Sequence, residues 1–138
     1  MNVLVDTPMW SLLLRRITGD LSPRELTLQD RLSEIIGEGR ARIAGPVRQE
    51  LLSGVRIESQ FEKLKEYLRA FEDAEVGTMD YENAAQMSNR CRSRGIQGSP
   101  IDFLLCAIAL RHNWELFTTD HDFIHFSRVL EIPLHRID

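Results

Sequence analysis

The chain has 138 residues, 43% hydrophobic and 28% charged, with a formal net charge of −4. That length suits one domain over residues 1–138, large enough to bury a core without a staple. An acidic balance argues against a free-standing nucleic-acid coat, which is basic, but not against an enzyme that meets nucleic acid through a metal.

The first seven residues, Met1-Asn-Val-Leu-Val-Asp6-Thr7, organise the rest of the chain. Val3, Leu4 and Val5 form an apolar run that Asp6 cuts off, the pattern of a buried strand covered on both faces. Thr7-Pro8 opens a helix, with Thr7 as cap and Pro8 at its first position. Met9, Leu12, Leu13 and Ile17 make its apolar stripe, with Trp10 and Leu14 beside it. The Met9-Trp10-Leu13-Leu14 face has more apolar surface than one helix needs, so part of it is expected at an interface.

Ser22-Pro23-Arg24-Glu25 is a capping box for a second helix, ending near Gly37. Arg42-Ile43-Ala44 is strand-like. Gly45-Pro46 then starts a helix carrying Arg48 and Glu50 and broken at Ser53-Gly54. Ser59-Gln60-Phe61-Glu62 reads as another capping box, and residues 74–76 as a short strand. Asp80 caps a helix running to about Arg94 and stopped by Gly95. Ser99-Pro-Ile-Asp102 opens the most apolar helix in the chain, which is therefore buried. Residues 114–118 form a fourth strand, ended by Asp120-His-Asp122. After a short helix, residues 132–137 form a last strand.

Strands alternating with helices call for an α/β fold with a parallel sheet and helices on both faces. Cys91 and Cys106 fit neither a disulfide framework nor a zinc knuckle and read as reduced thiols of a cytoplasmic protein. No signal-peptide pattern opens the chain, and no apolar run nears the roughly 20 residues of a membrane span.

Four places put an acid at or just after the carboxyl edge of this sheet, where ligands of open α/β folds bind. They are Asp6, Glu50, Asp102 and Asp120, with Asp122 two residues on. Singly, each has a plain role: Asp102 in the Ser99 box, Asp120 in a turn, Glu50 as a solvated helix charge. Together they would repel unless a hard cation gathered them, and Mg²⁺ and Mn²⁺ prefer oxygen ligands. Such a cluster fits metal-assisted phosphodiester hydrolysis.

Val5-Asp6-Thr7, the Pro-Val-Arg-Gln-Glu50-Leu helix, Ser99-Pro-Ile-Asp102 with its apolar helix, and Phe117-Thr-Thr-Asp120-His-Asp122-Phe123 resemble the PIN-domain ribonucleases. They are most similar to the VapC-type toxins of bacterial toxin–antitoxin pairs, in order and over essentially the whole chain. The resemblance implies a three-layer α/β/α sandwich with a mostly parallel central sheet. It implies Mg²⁺- or Mn²⁺-dependent endoribonuclease activity on structured RNA, commonly transfer or ribosomal RNA. It also implies a cognate antitoxin that blocks the site, and a homodimer. Asp6, Glu50, Asp102 and Asp120 match the family's acidic quartet, and Asp122 an accessory acid. Thr7 and Thr118 match small hydroxyl positions, and Pro8 stands where many relatives have Ser. On this reading Asp6 and Asp102 bind the metal most directly, and Asp120 completes the site through water. Asp122 contributes less, and Glu50 holds a second ion or orients the attacking water.

Other residues have plainer readings. Arg48 and Arg94 could meet phosphate but read first as surface charges, and His121 as a turn histidine. His112, His121, His125 and His135 lack zinc-ligand spacing. Competing enzyme classes fit less well. A haloacid-dehalogenase-like phosphatase needs a second acid where Pro8 stands. A receiver domain needs a late lysine, and the lysines are only Lys63 and Lys65. A toprim-like nuclease leaves Asp6 and Asp102 unexplained. A housekeeping nuclease without a toxin role, or a degenerate fold serving as a binding module, stays open, although retention of all four acids speaks against the module.

Overall fold

The computed structural model describes residues 1–14 and 18–137. In it the apolar run Val3–Val5 is strand β1, every side chain buried. It lies between two parallel neighbours: β2 (Ala41–Arg42) on one side and β3 (Glu115–Phe117) on the other. Val3 stands opposite Ala41 and Glu115, and Val5 opposite Phe117. The central strand of a parallel sheet has no wet face, which is why β1 is apolar throughout rather than alternating.

The two outer strands read in the sequence shrink to single parallel bridges, Ile43 with Asp73 and Leu116 with Leu134. On the first side Ala74 N–H donates to the Ile43 carbonyl, and the ladder stops there because α3 begins at Gly45. Pro133 has no N–H to give, so around it the sheet keeps only Leu116 N–H to the Pro133 carbonyl and His135 N–H to the Leu116 carbonyl.

Seven α-helices and one 3-10 turn (Thr18–Asp20) complete the described residues: α1 (Thr7–Leu13), α2 (Pro23–Gly37), α3 (Gly45–Ser53), α4 (Glu58–Leu68), α5 (Thr78–Arg92), α6 (Pro100–His112) and α7 (Asp122–Leu130). Packing joins α1 to α2 and α3, and α3 to α4; α5 packs on α6 and α7. These are the two helical layers of an α/β/α architecture. No helix among the described residues is long and apolar enough to cross a membrane.

Several local readings are met and several corrected. Ser22 and Glu25 form the expected box, as do Ser99 and Asp102. Ser59 forms none: α4 starts at Glu58 behind Ile57, with no side-chain cap. Asp80 is not the cap of α5 but lies one turn in, accepting from Gly77 N–H at 2.8 Å. Its carboxylate is buried against Arg111, 2.6 Å away. Gly95, at φ +75°, ends α5 by turning the chain left-handed, which a side chain would resist. Both cysteines are buried and free. Ile17, assigned to the α1 stripe, lies outside the described residues.

Met9 and Trp10 are fully buried, and Trp10 packs edge-on against Phe71. The share of the α1 face left for an interface is therefore Leu13 and Leu14, both half-buried. Arg48, read first as a surface charge, is tied into the fold instead. Its guanidinium donates to Asp73 Oδ1 and to the carbonyls of Leu68 and Phe71, at 2.6 to 2.9 Å. It pins α3 to the chain beyond α4. Arg48→Met would orphan those acceptors together and should lower stability by about 2–3 kcal/mol in urea unfolding.

Candidate active site

The carboxyl edge of the sheet is built by two crossovers that begin as their strands end. Asp6 is both the residue after β1 and the N-cap of α1: its Oδ1 accepts from Thr7 N–H at 2.8 Å. Thr7 is therefore not the cap. Its hydroxyl is turned instead toward α3 and donates to Glu50 Oε2 at 2.9 Å. The second oxygen of Asp6 accepts from the Thr118 hydroxyl at 2.8 Å. Thr118 Oγ1 in turn accepts from Asp120 N–H, and Asp120 Oδ1 accepts from Asp122 N–H. A line of hydrogen bonds thus runs from the end of β1, past the end of β3, to the start of α7.

Asp102 enters from the first turn of α6. Its Oδ2 accepts from Ser99 N–H at 3.1 Å while its own N–H donates to Ser99 Oγ. The helix-capping role open to it in the sequence is real, yet it leaves Oδ1 without a capping duty. Asp6, Asp102 and Asp120 stand near enough to repel one another electrostatically, and Asp122 acts on Asp102 in the same way. Glu50 joins the cluster through Thr7 and is exposed.

Burial decides the electrostatics. Two acids are buried among the described residues, Asp80 at 1% exposure and Asp6 at 7%. Asp80 has the Arg111 guanidinium, which holds its carboxyl below the usual range. Asp6 has a hydroxyl, a backbone N–H and two carboxylates, but no cation among the described residues. Desolvation pushes its pKa up to about 6, and Asp102 and Asp120 push the same way against the relief from Thr118 and Thr7. Asp102 is raised too, first by desolvation and then by Asp120 and Asp122.

No three acids, imidazoles or thiols among the described residues close on a common metal position. That arrangement still fits a hard, hydrated ion. Mg²⁺ keeps several waters and takes one or two carboxylates, so an open edge suits it better than a closed cage. A cation there would supply the counter-charge that Asp6 lacks among the described residues. Beside the acids runs a groove of about 780 Å³ between α1, α2 and the C-terminal segment. Leu12, Leu28, Leu134 and Ile137 line it, with Arg24 and Arg136.

The family model of the PIN domain matches residues 3–129, from β1 into α7. The chain belongs to the PIN domain family. Solved structures share its fold at low identity. A chain in the crystal structure of FitAcB from Neisseria gonorrhoeae is 18% identical, with a TM-score of 0.71; the match covers 97% of this chain and 96% of that one. One in VapBC2 from Rickettsia felis, bound to a DNA fragment from their promoter, is 16% identical with a TM-score of 0.72, covering both chains completely. One in VapBC-1 from nontypeable Haemophilus influenzae is 15% identical with a TM-score of 0.67, covering 98% and 97%. Among curated proteins, none matches the sequence.

Within this PIN domain the structure joins four of the five sequence-selected acids, Asp6, Asp102, Asp120 and Asp122, and reaches Glu50 through one hydroxyl. Arg94 is exposed just past α5, and His121 is exposed just ahead of α7. What the sequence concealed is how tightly Thr118 ties Asp6 to Asp120. A threonine at a strand end carries no signal of that kind without the strand order, which makes β1 and β3 neighbours.

Proposed function

We propose that the protein is a Mg²⁺- or Mn²⁺-dependent endoribonuclease, the toxin of a toxin–antitoxin pair, cleaving structured RNA such as transfer or ribosomal RNA. The observation that carries this reading is Asp6: a nearly buried carboxylate with two acidic neighbours and no counter-charge among the described residues. Such an arrangement costs stability and is expected where function requires it. A hard divalent ion supplies Lewis acidity for a phosphodiester and lowers the pKa of water it binds.

The chain's own residues have distinct duties. Asp6 and Asp102 would hold the ion, each with one carboxylate oxygen fixed by a backbone N–H. Thr118 and Thr7 keep Asp6 and Glu50 oriented. Asp120 and Asp122 complete the negative edge, Asp120 acting through water, and Glu50 holds a second ion or orients the attacking water.

The groove beside the acids is proposed to receive a segment of the antitoxin. Its apolar lining and two arginines suit an amphipathic peptide, and its aromatic side chains, Phe117 and Phe123, are buried rather than offered as stacking platforms for bases. A homodimer acting in the cytoplasm completes the reading, as does a single domain over the whole chain.

Asp102→Ala is the direct test. It should lower cleavage of a transfer or ribosomal RNA pool by about two to three orders of magnitude, the scale on which removing a charge-stabilising group acts. Chelation of Mg²⁺ should do the same to the wild type. Undiminished cleavage by the purified variant would sink the assignment. Growth arrest on expression, relieved by a neighbouring antitoxin gene, tests the toxin reading separately.

A further inference from the structure

Gly98 is the one glycine among the described residues that is packed against side chains. A Cβ built on it would stand 2.5 Å from Phe126 Cζ, 3.0 Å from Phe126 Cε1 and 3.1 Å from Phe103 Cε2. The other described glycines have nothing within 4 Å of that point. The obstacle is a ring tip, but not a free one. Phe126 is fully buried, its ring 4.8 Å from Phe103 and 5.2 Å from Phe123. In an interior packed at crystal density such a ring has nowhere to retreat. An added methyl would therefore move the backbone.

The backbone at stake is short and consequential. Residue 99 comes next and is the N-cap of α6, whose box fixes the Asp102 carboxylate. Phe126 and Phe123 belong to α7, which starts at Asp122, just after Asp120. Gly98 is where the loop before α6 rests on α7.

We propose that Gly98 is a positioning residue: its missing side chain lets the loop lie on the Phe126 ring, and this contact sets the gap between Asp102 on α6 and Asp120–Asp122 at the head of α7. The proposal rests on the metal-nuclease reading for its consequence, though not for its geometry. Lifting the first turn of α6 off α7 widens the acidic edge by some fraction of an ångström. Ligand sites tolerate about 0.5 Å of such error.

The experiment compares the wild type, Gly98→Ala, Phe126→Leu and the double variant. Three readouts are taken: Mn²⁺ affinity by calorimetry, thermal unfolding without metal, and hydrogen exchange of the Asp102 amide without metal. Gly98→Ala should weaken Mn²⁺ binding by about tenfold, the scale on which supporting residues act, and speed exchange at Asp102. Phe126→Leu alone, which removes the ring the loop rests on without adding a clash, should lower stability and weaken Mn²⁺ binding less than Gly98→Ala does. The double variant should regain affinity and exchange protection, because the shortened side chain makes room for the methyl. If Gly98→Ala fails to fold, the double variant decides alone: recovery of fold and affinity supports the proposal.

Wild-type affinity in Gly98→Ala overturns the proposal. So does a folded double variant that still binds Mn²⁺ weakly, or failure of both Gly98 variants to fold. A wild type that binds no Mn²⁺ overturns the nuclease reading instead, and exchange at Asp102 still decides whether Gly98 seats α6.

Discussion

Asp6→Asn should abolish Mg²⁺-dependent RNA cleavage and, at the same time, make the protein more stable at neutral pH. On the proposed reading, loss of activity comes from removing the charge of a metal ligand. The gain in stability comes from where that charge sits. A carboxyl moved from 3.8 to about 6 on folding opposes folding at pH 7 by at most about 3 kcal/mol, at about 1.4 kcal/mol per pH unit. Relaxation and water entry reduce this, so about 1–2 kcal/mol is expected, or roughly 3–6 °C in melting temperature. Asparagine is nearly isosteric. Its carbonyl can still accept from Thr7 N–H, and its amide can donate to Thr118 Oγ1, the atom now donating to Asp6.

The sign fixes the pH dependence. Between about pH 4 and pH 6 the folded state keeps a proton on Asp6 that the unfolded state releases. The contribution of Asp6 to stability therefore rises as pH falls from 7 toward 4. The raised carboxyl of Asp102 acts in the same direction. In Asp6→Asn the rise should shrink to the share left to Asp102. Added Mg²⁺ should raise the melting temperature of the wild type, by ligand linkage, but not that of the variant. Urea unfolding at several pH values, with and without Mg²⁺, checks all of this. An Asp6→Asn protein no more stable than the wild type would remove the claim that Asp6 is held against an electrostatic cost.

The acids were legible because each lies beside a strong local signal. Asp6 ends an apolar run, Asp102 closes a Ser-Pro-Ile-Asp box, and Asp120 comes after a strand of apolar and aromatic residues. Alternation of strands and helices then placed them on one edge without knowledge of contacts. What escaped depends on partners far away in sequence. Arg48 reads as a surface charge until the chain twenty or more residues later offers it a carboxylate and two carbonyls. Thr7 reads as a cap because threonine caps helices; Asp6 wins the position, and its charge at a helix N-terminus is favourable. The edge strands failed for the complementary reason. Their side-chain pattern was strand-like, but ladder formation depends on backbone groups: Pro133 has no N–H to give, and beside residues 73–76 the neighbouring segment turns into α3 at Gly45. Gly98 showed only a loop in the sequence; its contact with Phe126 joins positions far apart along the chain.

Trp10→Ala should cost about 3–5 kcal/mol, the range for emptying a large buried aromatic site. For a domain whose whole stability is about 5–15 kcal/mol, that is about a fifth of it or more. Three features put Trp10 at this end of the range. Its ring is fully buried, its centroid lies 4.8 Å from that of Phe71 in an edge-on arrangement, and its Nε1–H donates to the Val5 carbonyl at 3.0 Å. The last contact reaches the residue before Asp6, so Trp10 fastens the first turns of α1 to the end of β1. Trp10→Phe keeps most of the apolar volume and loses that hydrogen bond, and should cost about 1–3 kcal/mol. Thermal unfolding of the two variants gives the ordering, with Ala well below Phe and Phe below wild type. An interface residue would behave in the opposite way, leaving the melting temperature of the isolated chain unchanged while weakening its hold on a partner. Because the ring is enclosed by its own chain, the folded fraction of Trp10→Phe should still bind Mn²⁺ through Asp6 and Asp102, with its lost stability recovered in part as the ion is added.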